Sequence, residues 1–257
     1  MAGMPSPALV NFVIAGVMRG GTTALAHFLA QHPDVCFAPA KEVHFFDDPD
    51  FAQRSDPAEI ARDYVAHFPN FNGQSHIGEA TPIYMYSPLA IERLARYNPT
   101  MKIVLILRDP VRRALSHYNH AIAHQQENRS LATALLLEKF RLWRDRTNWS
   151  WTSSLRRHSY MDRGFYGRQL DLLLQHFPAQ QICLVRTHDL RDRHESTLRS
   201  VYRFLGLSDV PDLPAPEVMN GFGAPNTPAW LYAVLRSFYT RDQRLLADLL
   251  AFHNMAP

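Results

Sequence analysis

The sequence predicts an α/β fold of phosphate-loop type, three layers deep, with a central parallel β-sheet flanked by helices. Three observations carry this. Short apolar runs alternate with amphipathic stretches through the first half of the chain, the order that produces parallel strands joined by crossover helices. The run Lys102–Leu107 (KIVLIL) is apolar at nearly every position, as a strand covered on both faces must be. A glycine-rich turn at 16–23 joins the first apolar run to the first helical stretch. At 257 residues, 46% hydrophobic and 20% charged, the chain has material for one large domain spanning 1–257 and lacks the composition of a disordered protein.

The elements follow in order. Leu9–Ala15 (LVNFVIA) reads as a buried strand. Thr22–Gln31 carries Leu25, Phe28 and Leu29 at helical spacing and stops at His32-Pro33. Val35–Phe37 is a short second strand. Pro57–Phe68 spaces Ile60, Tyr64 and Phe68 four apart, and Pro88–Tyr97 forms the next helix. After Lys102–Leu107, Arg108-Asp109 leads into a helix from Pro110 to the neighbourhood of Gln126. A proline in the first turn preceded by aspartate is a helix start. Ile182–Arg186 is a further strand, and Glu195–Leu205 a helix closed by Gly206. Asn148–Ser154 reads as an irregular loop. Pro211–Pro228, rich in proline and glycine, is a long loop of the kind that serves binding sites, and Ala229–Phe252 is the last helix.

Charge and cysteine usage narrow the function classes. A net charge of +3 excludes nucleic-acid binding by bulk electrostatics. The 27 basic residues divide into 24 Arg and 3 Lys (Lys41, Lys102, Lys139). Codon bias explains this most simply, and a need for planar, permanently charged anion ligands is the functional alternative. Cys36 and Cys183 each lie in a strand-like stretch and read as buried, reduced thiols, with neither a disulfide framework nor zinc spacing. The 13 histidines are scattered without ligand spacing, so no metal is expected. The first 18 residues read as neither a signal peptide nor a membrane span, and the expectation is a cytosolic protein without a membrane anchor.

The chemistry concentrates in two segments. Gly16–Thr23 (GVMRGGTT) has the phosphate-loop spacing, with Thr22 where a lysine usually stands. Small residues let the backbone wrap an anion, and the N–H groups opening the helix point at it. The missing lysine is the one that reaches the β- and γ-phosphates in nucleoside triphosphate enzymes, and Arg19 occupies the loop crest instead. The strand at 102–107 ends in Arg108 before Asp109, a weak place for a magnesium ligand. The loop therefore suits a phosphate without a magnesium-bound γ-phosphate. A kinase or other nucleoside triphosphate enzyme is the alternative, as is a nucleotide-binding protein without catalysis. The second segment is Lys102–Asn119. Arg108, at the carboxyl end of a core strand, and Ser116, two helical turns later, either clamp a second phosphate or do structural work, Arg108 pairing with an acid and Ser116 facing solvent.

Four segments in order resemble the sulfotransferases that use 3′-phosphoadenosine-5′-phosphosulfate, in particular the branch of heparan sulfate N- and 3-O-sulfotransferase domains and their bacterial relatives. These are GVMRGGTTAL, KEVHFFD (Lys41–Asp47), GEATPIYMY (Gly78–Tyr86) and LRDPVRRALSHY (Leu107–Tyr118). The stretch Ile182–Leu207 and the closing helix agree. The resemblance implies that Arg19, Gly20, Gly21, Thr22 and Thr23, with Ala24 beside them, hold the 5′-phosphosulfate. It implies that Arg108 and Ser116 hold the 3′-phosphate, and that Glu42 is the catalytic base. His44, two residues on and on the same face if the segment is extended, is the rival base. Arg19, where the family usually has lysine, and Lys41 are the candidates to stabilise the leaving phosphate oxygen. Asn220, Gly221 and Phe222 lie where the glycan enzymes carry a basic loop that closes on the nucleotide, here without a basic residue. The implied reaction transfers a sulfuryl group in line to a hydroxyl or amine of a small-molecule or glycan acceptor, releasing adenosine 3′,5′-bisphosphate. Gly78–Tyr86 and His120–Ser154, with Tyr84, Tyr86, Trp143, Trp149 and Trp151, are expected to help form the acceptor site.

Overall fold

A computed structural model describes residues 9–215 and 227–255. Five strands form one fully parallel sheet: β1 (Phe12–Gly16), β2 (Val35–Phe37), β3 (His76–Ala80), β4 (Lys102–Leu107) and β5 (Ile182–Arg186), in the order β2-β3-β1-β4-β5. The helices between and after them are α1 (Thr22–Leu29), α2 (Pro57–Val65), α3 (Pro88–Tyr97), α4 (Pro110–Ala123), α5 (Leu131–Arg144), α6 (Ser154–Arg157), α7 (Tyr166–Leu174), α8 (Thr187–Asp192), α9 (His194–Leu205), α10 (Ala229–Ser237) and α11 (Thr240–Phe252).

Side-chain alternation along the strands builds two cores, one on each face of the sheet. Phe12 and Ile14 of β1, with Val104 and Ile106 of β4, pack against Leu25 and Phe28 of α1 and Leu198, Val201 and Tyr202 of α9. Val13 and Ala15, with Ile103 and Leu105, face the other way, towards α2, α3, α7 and α11. Each fully buried aliphatic side chain contributes about 1.5–3 kcal/mol. The reading of β4 as a strand covered on both faces therefore holds physically as well as by pattern.

The sheet order reverses direction at β1. The chain runs from β1 to β2 and back to β3 on one side, then crosses to β4 on the other. This is the switch point, where the carboxyl ends of adjacent parallel strands open a crevice. The turn after β1 and Arg108 after β4 share it.

Several boundaries differ from expectation. The first strand starts at Phe12, after Asn11 uses its side chain to accept from Ile77 N and donate to Ser75 O. Helix α1 ends at Leu29 and α2 at Val65. The closing helix breaks into α10 and α11 at Tyr239, whose N–H bonds Arg236 O and whose buried hydroxyl donates to Met161 O. Five elements were not expected: β3, α5, α6, α7 and α8. Strand β3 (HIGEA) lacks an apolar run because its polar residues are satisfied inside. Its Gly78 is obligatory, since a Cβ there would lie 2.3 Å from the Phe12 ring. Cys36 is buried, but Cys183 is only partly so, and both are free thiols.

Candidate active site

The turn after β1 is held from below by the sheet. Val17 N donates to Ile106 O (3.1 Å) and Gly20 N to Val17 O (2.8 Å), while the Thr187 hydroxyl donates to Gly20 O and to Leu107 O. A Cβ on Gly20 would lie 2.4 Å from Ile106 O, so only glycine allows this approach. Gly21 precedes α1 at φ 110°, and having no side chain it leaves the first-turn N–H groups uncapped. Uncapped N–H groups at a helix N-terminus carry partial positive charge that favours an anion. Thr22 is buried and Thr23 exposed, with Ala24 half-buried behind them.

Arg19, at the crest, adopts φ 68°. Its Nε donates to Ser116 Oγ (3.2 Å), and Arg108 Nη1 donates to Arg19 O (3.1 Å). The fold thus joins the three residues expected to bind anions. Ser116 is fully buried rather than facing solvent. Burial lowers the pKa of both guanidinium groups. The charge of Arg108 lowers Arg19 further, and Arg113 lowers both. Such a like-charge cluster is relieved by a bound anion.

Across the crevice stands 41–47. Glu42 and His44 adopt left-handed backbone (φ 60° and 56°), not the extended form that would align them, a cost that functional sites commonly bear. They meet nonetheless: His44 Nε2 lies 3.3 Å from Glu42 Oε2, and His44 Nδ1 lies 2.9 Å from Asp47 Oδ2. Lys41 Nζ is 3.7 Å from Glu42 Oε1 at the exposed mouth. Arg156 anchors the far end, with Nη1 2.5 Å from Asp47 Oδ2 and Nη2 donating to Asp47 O. Trp151 covers this line, edge-on to His44 at 5.4 Å and under the Arg156 guanidinium at 4.3 Å.

Alternating charge governs titration here. Burial acts to depress His44, but hydrogen bonds to Asp47 and Glu42 and their charges raise it to about 9. Burial acts to raise Glu42 and Asp47, yet His44 holds both below the ordinary carboxylate range, aided by Lys41 and Arg163 at Glu42 and by Arg156 at Asp47. Near neutrality the row is carboxylate, imidazolium, carboxylate, guanidinium.

A buried layer supports this row. His44 N donates to Thr81 Oγ1 (3.3 Å), which donates to Glu79 Oε2 (2.6 Å), and the Tyr64 hydroxyl donates to Glu79 Oε1 (3.1 Å). Glu79 is fully buried, and desolvation lifts it to about 7 despite these donors. The Tyr84 hydroxyl accepts from Phe45 N and Phe46 N. Tyr84 is therefore core, not acceptor-site lining. Tyr86 is likewise buried, donating to Asp162 Oδ2 with Arg163 over its ring, and Trp149 packs edge-on against it. Trp143 lies on the outer surface of α5. Of the five expected aromatic residues, Trp151 is the one whose ring packs against His44.

Asp47, Arg156, Arg163 and His120 went unassigned in the sequence. Arg163, buried and held near 10 by desolvation, donates to Met18 Sδ in the turn after β1 (3.0 Å). His120, one turn beyond Ser116, is lowered to about 4, first by burial and then by His124 and Arg19, while the charges of Glu42 and Lys41 also reach it. Asn220, Gly221 and Phe222 lie outside the described residues.

A family model described as "Sulfotransferase family" matches residues 11–212. The mouse heparan sulfate glucosamine 3-O-sulfotransferase 3B1 is 32% identical over 211 residues, covering 81% of this chain and 49% of the relative. The membrane-associated sulfotransferase kil1 of Dictyostelium discoideum is 25% identical, covering 79% of this chain and 57% of the relative. The chain thus spans about half the length of the curated relatives it matches. A crystal structure of a sulfotransferase from Alicyclobacillus acidocaldarius superposes with a TM-score of 0.77 at 26% identity, covering 99% of this chain and 98% of that one.

Proposed function

The chain belongs to the sulfotransferase family, and on that premise we propose that it transfers a sulfuryl group from 3′-phosphoadenosine-5′-phosphosulfate to a hydroxyl or amine of a glycan or small-molecule acceptor. The fit of a donor with two anionic ends to the cationic crevice supports this. The uncapped turn Gly20–Thr23 with Ala24, and Arg19 above it, suit the 5′-phosphosulfate. Arg108 and the buried Ser116 suit the 3′-phosphate. Asn220, Gly221 and Phe222 are the residues proposed to close on the nucleotide. When bound, the donor supplies an activated sulfuryl group whose departure leaves negative charge on a phosphate oxygen. Arg19, Lys41 and the loop N–H groups are assigned to stabilise that charge. Arg19 does so by charge and hydrogen bonds alone, since it stays protonated.

The observation that carries the assignment of the base is the Glu42–His44–Asp47 row. His44, held near 9 between two carboxylates, is already protonated at neutral pH and offers no lone pair to an acceptor proton. Glu42 is ionised, and its charge reaches Arg19 across the crevice. Glu42 therefore takes the acceptor proton as general base, with His44 and Asp47 as positioning residues. The two free thiols, on opposite edge strands, suit the reducing cytosol.

Glu42→Gln is expected to lower turnover about 10²- to 10⁴-fold in a radiolabelled sulfate-transfer assay. Calorimetry with adenosine 3′,5′-bisphosphate is expected to give the wild-type affinity for the same variant. Turnover near wild type in Glu42→Gln would remove Glu42 as the base. Tight binding of ATP with magnesium, without binding of the bisphosphate, would overturn the donor and return the chain to nucleoside triphosphate chemistry.

A further inference from the structure

Helix α5 is inside out. An amphipathic surface helix turns apolar residues inward and charges outward. Here Ala134, Glu138 and Arg141 form the buried side. Glu138 accepts from Met161 N and Asp162 N (2.8 Å each to its nearer oxygen), and Arg141 Nη1 lies 2.5 Å from Glu127 Oε2. On the opposite side, at i, i+4 and i+7, Leu136, Phe140 and Trp143 are 82%, 57% and 63% exposed. At 100° per residue, Lys139 and Arg144, both exposed, stand on either flank of this apolar stripe. Arg146, just beyond the helix, lies 5.5 Å from the centre of the Trp143 ring. The acids of this stretch are turned away or paired: Glu138 is buried, and Asp145 accepts from Ser154 N (2.6 Å) and from Arg144 Nε.

The stripe leads directly into the loop that carries Trp151. The Asp145–Ser154 bond closes the loop that carries Trp151 from the end of α5 back to α6, which holds Arg156 against Asp47. Phe140, from the stripe, also lines a cleft of about 460 Å³ together with Arg129, Arg144, Ser154 and His158.

We propose that the outer face of α5 docks the protein on an anionic lipid bilayer, with Leu136, Phe140 and Trp143 entering the headgroup boundary and Lys139, Arg144 and Arg146 meeting lipid phosphates. Charge complementarity selects this occupant. Aromatic and aliphatic side chains rimmed by cations, with no free acid in the stripe, match an anionic interface, where tryptophan and arginine both sit favourably. No helix among the described residues is long and apolar enough to cross a membrane, and this face needs none. Docked this way, the mouth around Trp151 and Glu42 lies close to the lipid surface, so acceptors anchored there are presented to it. The docking itself does not depend on the proposed reaction.

The test is co-sedimentation of the full chain with phosphatidylcholine vesicles, with and without phosphatidylserine. Wild type is expected to pellet with the anionic vesicles, to stay in solution with neutral ones, and to be released by high salt. Phe140→Ser with Trp143→Ser is expected to weaken binding at least about tenfold, and Arg144→Gln with Arg146→Gln by about twenty-five-fold, near fivefold per charge. All four residues are exposed, so both variants should keep the wild-type melting temperature and bisphosphate affinity. Wild type remaining in solution with anionic vesicles, or the Phe140/Trp143 variant pelleting like wild type, would overturn the proposal. A concentration-dependent dimer that this variant dissolves, without vesicle binding, would instead assign the face to a second copy of the chain and overturn the lipid assignment.

Discussion

At the residue scale, the decisive feature is a histidine placed between two carboxylates. Sequence spacing brings Glu42, His44 and Asp47 close, but spacing alone leaves either Glu42 or His44 as base. The contacts of the His44 imidazole, 3.3 Å to Glu42 and 2.9 Å to Asp47, set it near 9 and hold both acids low. The sign of the pH dependence follows. Activity rises as Glu42 ionises, below its ordinary value of 4.5, and falls as pH passes about 9, where His44 loses the proton that orients Glu42. A pH profile of kcat/KM is expected to show the alkaline limb near 9 in wild type, and His44→Ala is expected to lack it. An unchanged alkaline limb in that variant would assign it to another group. Asp47 was visible in KEVHFFD, but nothing local gave it a role. Its guanidinium partner, Arg156, is 109 residues away.

At the element scale, helix α4 carries Ser116 and follows Arg108, the two residues proposed to hold the 3′-phosphate, and its start was legible. Asp109 caps it, Oδ1 accepting from Arg112 N at 2.8 Å, and Pro110 opens its first turn. The cap has a second task that the sequence does not show: the Tyr232 hydroxyl of α10 donates to Asp109 Oδ2 at 2.6 Å. Asp109→Ala is expected to cost about 1–2 kcal/mol, lowering the melting temperature by about 2–4 °C for each kcal/mol. It should also weaken bisphosphate binding, because Arg108 immediately precedes the cap. Asp109→Asn, which keeps a capping oxygen, should retain most of the stability in the same thermal scan. Helix α5 escaped the sequence reading for a physical reason. Its glutamate and arginine find partners inside while its aromatic residues face out, so the usual inference from polarity to exposure runs backwards. Strand β3 escaped for a related one: Glu79 is satisfied by Tyr64 and Thr81 within the core, which a pattern of hydrophobicity cannot register.

At the scale of the whole molecule, the order β2-β3-β1-β4-β5 puts the two thiols on opposite edge strands, Cys36 on β2 and Cys183 on β5, with three strands between them. Strands lie about 4.8 Å apart, so no disulfide joins the two within the fold. The melting temperature is expected to be the same with and without reductant, and a reductant-dependent shift would contradict this arrangement. The arginine excess also takes on meaning only in three dimensions. Most of the 24 are dispersed, but Arg19, Arg108, Arg113 and Arg163 influence one another's surroundings around one crevice. The sequence by itself determined the parallel α/β layering, the glycine-rich turn between β1 and α1 and the presence of Arg108 and Ser116 on a strand–helix unit. Each of these is written in local spacing, through strand and helix periodicity and glycine and proline chemistry. Only the tertiary structure decided that Arg19 meets Ser116 across 97 residues, that His44 is charged, and that α5 faces solvent with its apolar side. Those outcomes depend on which groups desolvate and pair with one another, a property of the folded neighbourhood and not of any one stretch of chain.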